Sequence, residues 1–387
     1  MHEYLIDLKD DKSKFFFKVI LFLWIVSIPF QNAFYQISFV LINFYFIWHL
    51  IIFKKFKFLY KILKNIKILI FMLFGILFSM MLSNLLNQEL LDPKSWHNTL
   101  LFPFRFGILF VALLYFYTHD YFSKKEIIYF TLFSSFFVLV GGFVELVQNY
   151  EIITDVKEGI VGFVRNRNPF GHFIGIGFMI IFLFVKEYKF KFLSLIVFLF
   201  FIIFSFSRAT WVAISVSIIV YLFLSNYKFS KKDFYIFCIF ALFLAIILTF
   251  ESAQVRFECL LNLDSSNRTI LWKNAWNTFL DKPLFGHGVD SFAKVLPNML
   301  AIGPMVHNIE IEILLYIGLF GGFFYFSAIF LTFKESYKDK NFKIFCILFY
   351  FFILGQFDQG GFVARQYLSF ILIFTFLTFA DKVKFCK

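Results

Sequence analysis

Long-period repeats and low-complexity linkers are missing from this 387-residue sequence, which removes solenoids and strings of tethered domains from consideration. Cysteine is scarce. Of the four present, Cys238 and Cys346 fall in apolar runs and Cys386 in the last polar tail, leaving Cys259 alone in a long connection. No intrachain disulfide is therefore expected outside a membrane. No small-residue cleavage site follows the first apolar run, and a second run begins at once, so the first segment is read as retained rather than as a secretory leader. Charged residues are only 16% of the chain. What fills it instead is apolar: 60% of residues, with 68 phenylalanines, in runs of about 15 to 25 that recur along the whole length. A soluble core cannot bury that much, and the sequence predicts an all-α polytopic membrane protein.

About twelve transmembrane helices are expected, at 15–30, 33–53, 66–86, 99–118, 127–148, 169–187, 190–206, 208–226, 233–250, 307–333, 342–356 and 365–381. Short cytoplasmic loops collect basic residues. Here the N-terminal tail carries Lys9, Lys12, Lys14 and Lys18, and the connection after the second span carries Lys54, Lys55, Lys57, Lys61, Lys64 and Lys67. Every second connection beyond is again lysine-rich, and the C-terminal tail ends with Lys382, Lys384 and Lys387. Both termini are accordingly expected in the cytoplasm. The net charge of +12 is mainly a topology signal, and no nucleic-acid partner is expected.

The basic residues left for the outer face include every arginine: Arg105, Arg165, Arg167, Arg208, Arg256, Arg268 and Arg365. Topology asks only for positive charge, so arginine needs a further reason. Its planar fork of donors matches phosphate or carboxylate oxygens and suits it to holding a diphosphate at a membrane surface. The plainer use is interfacial anchoring, with ion pairs to acids such as Asp264 or Asp358.

Two outer connections are longer than compact bundles prefer: 149–168, and 251–306 with about 55 residues. The chain is read as one transmembrane domain, 1–387, with the second loop inserted as an outer subdomain between spans 9 and 10. Within it Asp264, Ser265, Ser266 and Asn267 offer helix-capping side chains. Ile270, Leu271, Trp272, Ala275, Trp276 and Phe279 then form one apolar stripe that ends before Pro283 and Gly286. A short amphipathic helix of about 13 residues is expected, suited to the outer interface or to closing over a cavity.

Four segments on the outer face hold polar residues that a bilayer disfavours: Arg165 to His172, Ser205 to Trp211, the Arg268 helix with Pro283 to Phe292 after it, and His307 to Gly322. In that order they resemble the O-antigen ligase and polymerase superfamily of bacterial membrane glycosyltransferases. The shared marks are the Ser207-Arg208 pair before an outer-facing span and the Arg268-x3-Trp272 helix running into Pro283-Leu284-x-Gly286-x-Gly288. The last is His307-Asn308 before a leucine-rich span ending in Gly318-Leu319-x-Gly321. The resemblance covers roughly residues 160–325. It implies a C-type glycosyltransferase fold with an undecaprenyl-diphosphate-linked glycan as donor, working on the periplasmic face of the inner membrane. The acceptor is a lipid A-core sugar in the ligase branch and another lipid-linked repeat unit in the polymerase branch. A single large outer loop is more like the ligase branch.

The residue types agree with that chemistry. A departing sugar diphosphate gathers negative charge, which fixed cations stabilise, and Arg208 and Arg268 are the choices for it, supported by Arg165 and Arg167. The acceptor hydroxyl must lose a proton, and His307 suits that task. Glu310 can orient the imidazole, pair with an arginine or act as base itself, with Glu312 placed to neutralise an arginine. Asn308 and Trp272 are taken as substrate-binding residues. The first outer loop, Pro29 to Ala33, holds no carboxylate, so neither a metal nor another cofactor is expected. A polysaccharide or lipid transporter without bond chemistry would place ionisable groups near the midplane in repeated halves, whereas here they gather at one face and no repeat is found.

Overall fold

The computed structural model describes residues 2–30, 33–154, 159–164, 166–228, 241–242, 245–262, 267–303, 305–357 and 365–384. Every regular element among them is helical. In chain order these are α1 (His2–Ser27), α2 (Ala33–Phe53), α3 (Phe56–Asn65), α4 (Lys67–Leu86), α5 (Pro93–Phe102), α6 (Leu109–Thr118), α7 (Lys124–Gln148) and α8 (Arg167–Phe184). They continue with α9 (Tyr188–Phe204), α10 (Arg208–Leu224), α11 (Glu251–Leu261), α12 (Arg268–Asp281), α13 (Phe292–Val295), α14 (Ile309–Lys338), α15 (Phe342–Phe357) and α16 (Arg365–Lys384). A π-helical turn, Pro103–Ile108, joins α5 to α6 without a break.

Eight of these helical stretches are long and apolar enough to cross a membrane: Asp11–Phe30, Ala33–Phe53, Lys67–Leu86, Pro93–Thr118, Lys124–Gln148, Arg167–Phe184, Ile309–Lys338 and Gln366–Lys384. α10 and α15 are apolar but shorter. α9 has 17 residues, roughly 25 Å of helix against a hydrocarbon core of about 30 Å. The expected ninth span, 233–250, lies largely outside the described residues. Large apolar side chains face outward along the bundle, Phe74 being 67% and Phe223 80% exposed, as a hydrocarbon solvent permits and water does not.

The chain forms two compact units. The first comprises 1–127, 267–341 and 359–387, the second 128–266 and 342–358, so the long 251–306 stretch is shared between them. In the first, α14 packs on α4 and α12, α1 on α2, and α16 on α6. Phe17, Tyr35, Phe110, Tyr115, Phe116, Phe370 and Phe374 fill its interior. Ion pairs join Lys18 to Glu126 (2.8 Å), Lys124 to Asp381 (2.6 Å) and Lys382 to Glu335, which brings four lysine-rich segments, both tails and two connections, to one end of this unit. In the second unit α10 packs on α15 and α8 on α9. Small residues permit the close approach that packing without a hydrophobic driving force requires: a Cβ on Gly175 would collide with the Tyr350 hydroxyl, and one on Gly177 with Phe198.

The expected tenth span, 307–333, is not one helix. Gly318 inside α14 has φ 65° and ψ −169°, a conformation open essentially to glycine alone. The Leu314 side chain consequently lies 3.0 Å from where a Cβ on Gly322 would sit, although eight residues of unbroken helix would separate them by about 12 Å. Residues 309–317 thus form a half-helix folded back against 319–338, and Gly322 leaves room for the fold. Only the second half is long enough to cross.

Candidate functional site

A break in a helix frees backbone groups that an apolar environment cannot satisfy. The segment 283–288 satisfies them here. An intact helix would bond Leu319 N–H to Leu315 C=O and Phe320 N–H to Tyr316 C=O. Instead Leu319 and Phe320 donate to the carbonyls of Pro283 (2.8 Å) and Leu284 (3.0 Å), while His287 and Gly288 donate to those of Leu315 (2.8 Å) and Tyr316 (3.0 Å). Two helical bonds have become four. The approach is so close that a Cβ on Gly286, itself at φ +68°, would fall 2.6 Å from the Tyr316 carbonyl. That is the physical reason for the glycines of the Pro283 to Gly288 motif.

The end of α4 clamps this junction. Ser83 Oγ donates to the Tyr316 carbonyl (2.6 Å) and accepts from Gly288 N–H (3.0 Å). Asn84 Oδ1 accepts from Val289 N–H (2.9 Å). Asn87 Nδ2 donates to the Gly286 carbonyl (3.0 Å), and its Oδ1 accepts from Lys282 Nζ. Asn98 Nδ2 on α5 donates to Asp290 (2.7 Å). Sequence reading passed over Ser83, Asn84, Asn87 and Asn98. Their one visible signal was Ser-Asn-x-x-Asn closing an otherwise apolar run.

His287 is 5% exposed and donates from Nε2 to the Thr278 carbonyl at 2.7 Å. Burial first, with Lys282 nearby adding to it, pushes its pKa below the ordinary value of 6.5, against the opposing pull of the Thr278 carbonyl and Asp281. The folded state then binds fewer protons than the unfolded one below that value, so stability present above about pH 6.5 is lost as pH falls. Thermal melts between pH 7.5 and 5 are expected to show a decline that His287→Gln flattens; parallel profiles would exclude the histidine as its source.

The docked junction fixes one end of two neighbouring helices, α12 and the half-helix 309–317. Their N-terminal ends both approach Gly303. A Cβ on Gly303 would lie 3.3 Å from Leu271 of α12 and 3.5 Å from His307 Nε2. Arg268 opens α12, half-buried, with no hydrogen bond or ion pair to another described residue. One turn on, Trp272 buries an indole N–H that has no partner among them. Arg268, Trp272, His307, Asn308 and Glu310 are therefore all carried at the paired starts of these two helices.

Several details differ from expectation. The buried stripe of α12 is narrower, Leu271, Ala275 and Phe279, while Ile270 and Trp276 are each 45% exposed. Asn267 occupies the cap position at φ 65° but its side chain makes no capping bond, and Asp264, Ser265 and Ser266 lie outside the described residues. His307 is not helical: φ is 55°, and Asn308 is the cap, its Oδ1 accepting from Ile311 N–H at 3.0 Å. Asn308 thus has a structural task, and His307, lying before the cap, shares no helical face with Glu310. Glu310 and Glu312 occupy the first turn, and Glu312, 1% exposed, accepts a hydrogen bond from Tyr316.

The second unit carries Arg165, Arg167, Arg208 and Arg256, whereas Arg105 and Arg365 belong to the first. Arg208 begins α10 and donates from Nη1 to the Cys259 carbonyl of α11 at 3.0 Å. The turn before it is held by Thr210 Oγ1 on Ser207 Oγ (3.0 Å) and by Trp211 Nε1 on the Ile202 carbonyl (3.0 Å). Arg167 begins α8 after the cap residue Asn166. Arg165 lies outside the described residues. Arg105, expected on the outer face, is 3% exposed within the π-helical turn.

With eight helical stretches long and apolar enough to cross a membrane among its described residues, the chain fits the class of multi-pass membrane proteins. Within that class, residues 193–326 match the family model described as O-antigen ligase. The match includes Arg208, Arg268, Trp272, His307, Asn308, Glu310 and the Gly318 break, and it supports the O-antigen ligase and polymerase superfamily named from the motifs. It supports ligase- or polymerase-type activity alike. No curated protein matches the chain.

Proposed function

We propose that the protein moves a glycan from an undecaprenyl-diphosphate carrier to a lipid A-core acceptor, without a metal, on the periplasmic face of the bacterial inner membrane. The observation that carries this reading is the approach to Gly303 of both helix starts, the one bearing Arg268 and the one bearing His307. Backbone N–H groups at helix N-termini favour an anion, and Arg268 there has no carboxylate partner among the described residues. In the reaction the bond between the anomeric carbon and the diphosphate oxygen breaks, and its electron pair leaves with the diphosphate. The acceptor hydroxyl oxygen bonds to the anomeric carbon and its proton passes to His307. Arg268 is assigned to the diphosphate and Trp272 to the substrate; the sequence motifs alone extend the diphosphate assignment to Arg208, with Arg167 and Arg165 in support.

Transfer from a synthetic undecaprenyl-diphosphate glycan to purified lipid A-core, run with and without chelator, tests this. Chelator-insensitive coupling to the core is expected. A product in which two lipid-linked repeats are joined would instead assign the polymerase branch. Arg208→Lys and Arg268→Lys are each expected to lower turnover by roughly 10²–10³ while the protein still accumulates, because lysine keeps the charge and loses the bidentate fork. Near-normal turnover in either variant would return that residue to interfacial anchoring.

A further inference from the structure

The lysine-rich end of the first unit carries a feature that glycan transfer does not use. α3 is amphipathic: Ile62 is fully buried and Phe58, Leu59 and Leu63 half-buried, while Lys57, Lys61 and Lys64 stand exposed on the opposite side with Tyr60. No acidic residue occurs between Asp11 and Glu89, so nothing on α2, α3 or α4 neutralises them. Asn65 donates to the Lys382 carbonyl at 3.2 Å, which seats α3 beside the end of α16. Under α3 runs an apolar groove of about 290 Å³. Leu59 and Leu63 roof it, Ile70, Phe74 and Leu77 of α4 form a wall, and the π-helical turn lies along its floor.

Two details make this more than a packing gap. A π-turn inserts a wider loop into a helix and often marks a functional site. At its Gly107 a Cβ would meet nothing within 4 Å, so the floor is open where any side chain would begin to fill it. Lys67 also lies three residues before Ile70 on the groove stripe of α4. From Lys67 to Leu77 the helix rises about 15 Å, half the thickness of a hydrocarbon core and thus the depth of one leaflet.

From the cationic face, the groove beneath it and its one-leaflet depth, we propose that this is a binding site for an anionic phospholipid. One acyl chain lies along Gly107, the phosphate sits by Lys67 at the head of the groove stripe, and Lys57, Lys61 and Lys64 supply the positive field that draws the anionic headgroup to this end. Charge complementarity selects this occupant, since a zwitterionic lipid brings no net charge to an α3 face that carries three lysines and no acid of its own. The proposal is independent of the transferase reading.

The full chain, reconstituted in phosphatidylcholine vesicles doped with chain-spin-labelled phosphatidylglycerol or phosphatidylcholine, tests it by the motionally restricted fraction of the electron-spin spectrum. Wild type is expected to prefer the phosphatidylglycerol label by on the order of tenfold, as several lysines near a surface allow. The triple variant Lys57→Gln, Lys61→Gln, Lys64→Gln should bring the preference near one, whereas Lys338→Gln with Lys340→Gln should leave it intact. Gly107→Leu should lower the restricted fraction for both labels while helix content is unchanged. Equal retention of both labels by wild type, or a preference that survives both the triple variant and Gly107→Leu, would overturn the proposal. So would displacement of the label by equimolar undecaprenyl phosphate, which would give the groove to the carrier lipid.

Discussion

Gly318→Ala is expected to abolish transfer and to destabilise the first unit by roughly 3 kcal/mol or more. A Cβ at this position would fall on the carbonyl of Leu284 and 2.5 Å from Phe285 N, all backbone atoms that cannot rotate away. The strained φ/ψ alone costs about 1–3 kcal/mol for a residue other than glycine, and each backbone hydrogen bond lost from the junction adds about 1 kcal/mol. Gly286→Ala approaches the same junction from the docked 283–288 segment and should resemble it. Leu319→Ala, which keeps the backbone intact at an exposed position, should not. Detergent-resistant melting and transfer assays on the three variants check this, and a stable, active Gly318→Ala protein would mean that the half-helix does not depend on the docked segment.

His307→Ala is expected to lower the chemical step by roughly 10²–10⁴ with donor binding almost unchanged, because a proton acceptor is lost while the guanidinium groups remain. If Glu310 is the base and His307 only positions it, Glu310→Gln should show the larger loss and His307→Gln the milder one. Single-turnover rates at saturating donor, measured across pH for each variant, separate the two. The geometry sharpens the comparison: with His307 outside the helix at φ 55° and Glu310 in its first turn, each residue can be altered without shifting the other along a shared face. An unchanged rate for His307→Ala would remove this histidine from the chemistry.

Much of this was legible in the sequence for local reasons. The helix from Arg268 to Asp281 follows from side-chain spacing, and its end from Pro283 and Gly286. The stripe was read too wide because spacing counts Ile270 and Trp276 as apolar without saying that α12 contacts its neighbours on one narrow side. The break at Gly318 could not be seen that way, since hydropathy averages over residues and is blind to φ, so a leucine-rich run with three glycines reads as continuous. Ser83, Asn84 and Asn87 were missed because their partners lie some 200 residues downstream. Nothing local distinguishes a clamp from polar residues at a membrane surface.

That separation bears on how the protein is made. Gly288 and Ser83 stand 205 positions apart, and at about 5–20 residues per second roughly 10–40 s pass between the emergence of one and of the other. Throughout that interval α4 must already be inserted, with its serine and asparagines facing lipid, water or a biogenesis factor. A transcript cut short before codon 283 would yield a chain whose third span never acquires its proper neighbours, and membrane quality-control proteases would find it by that end.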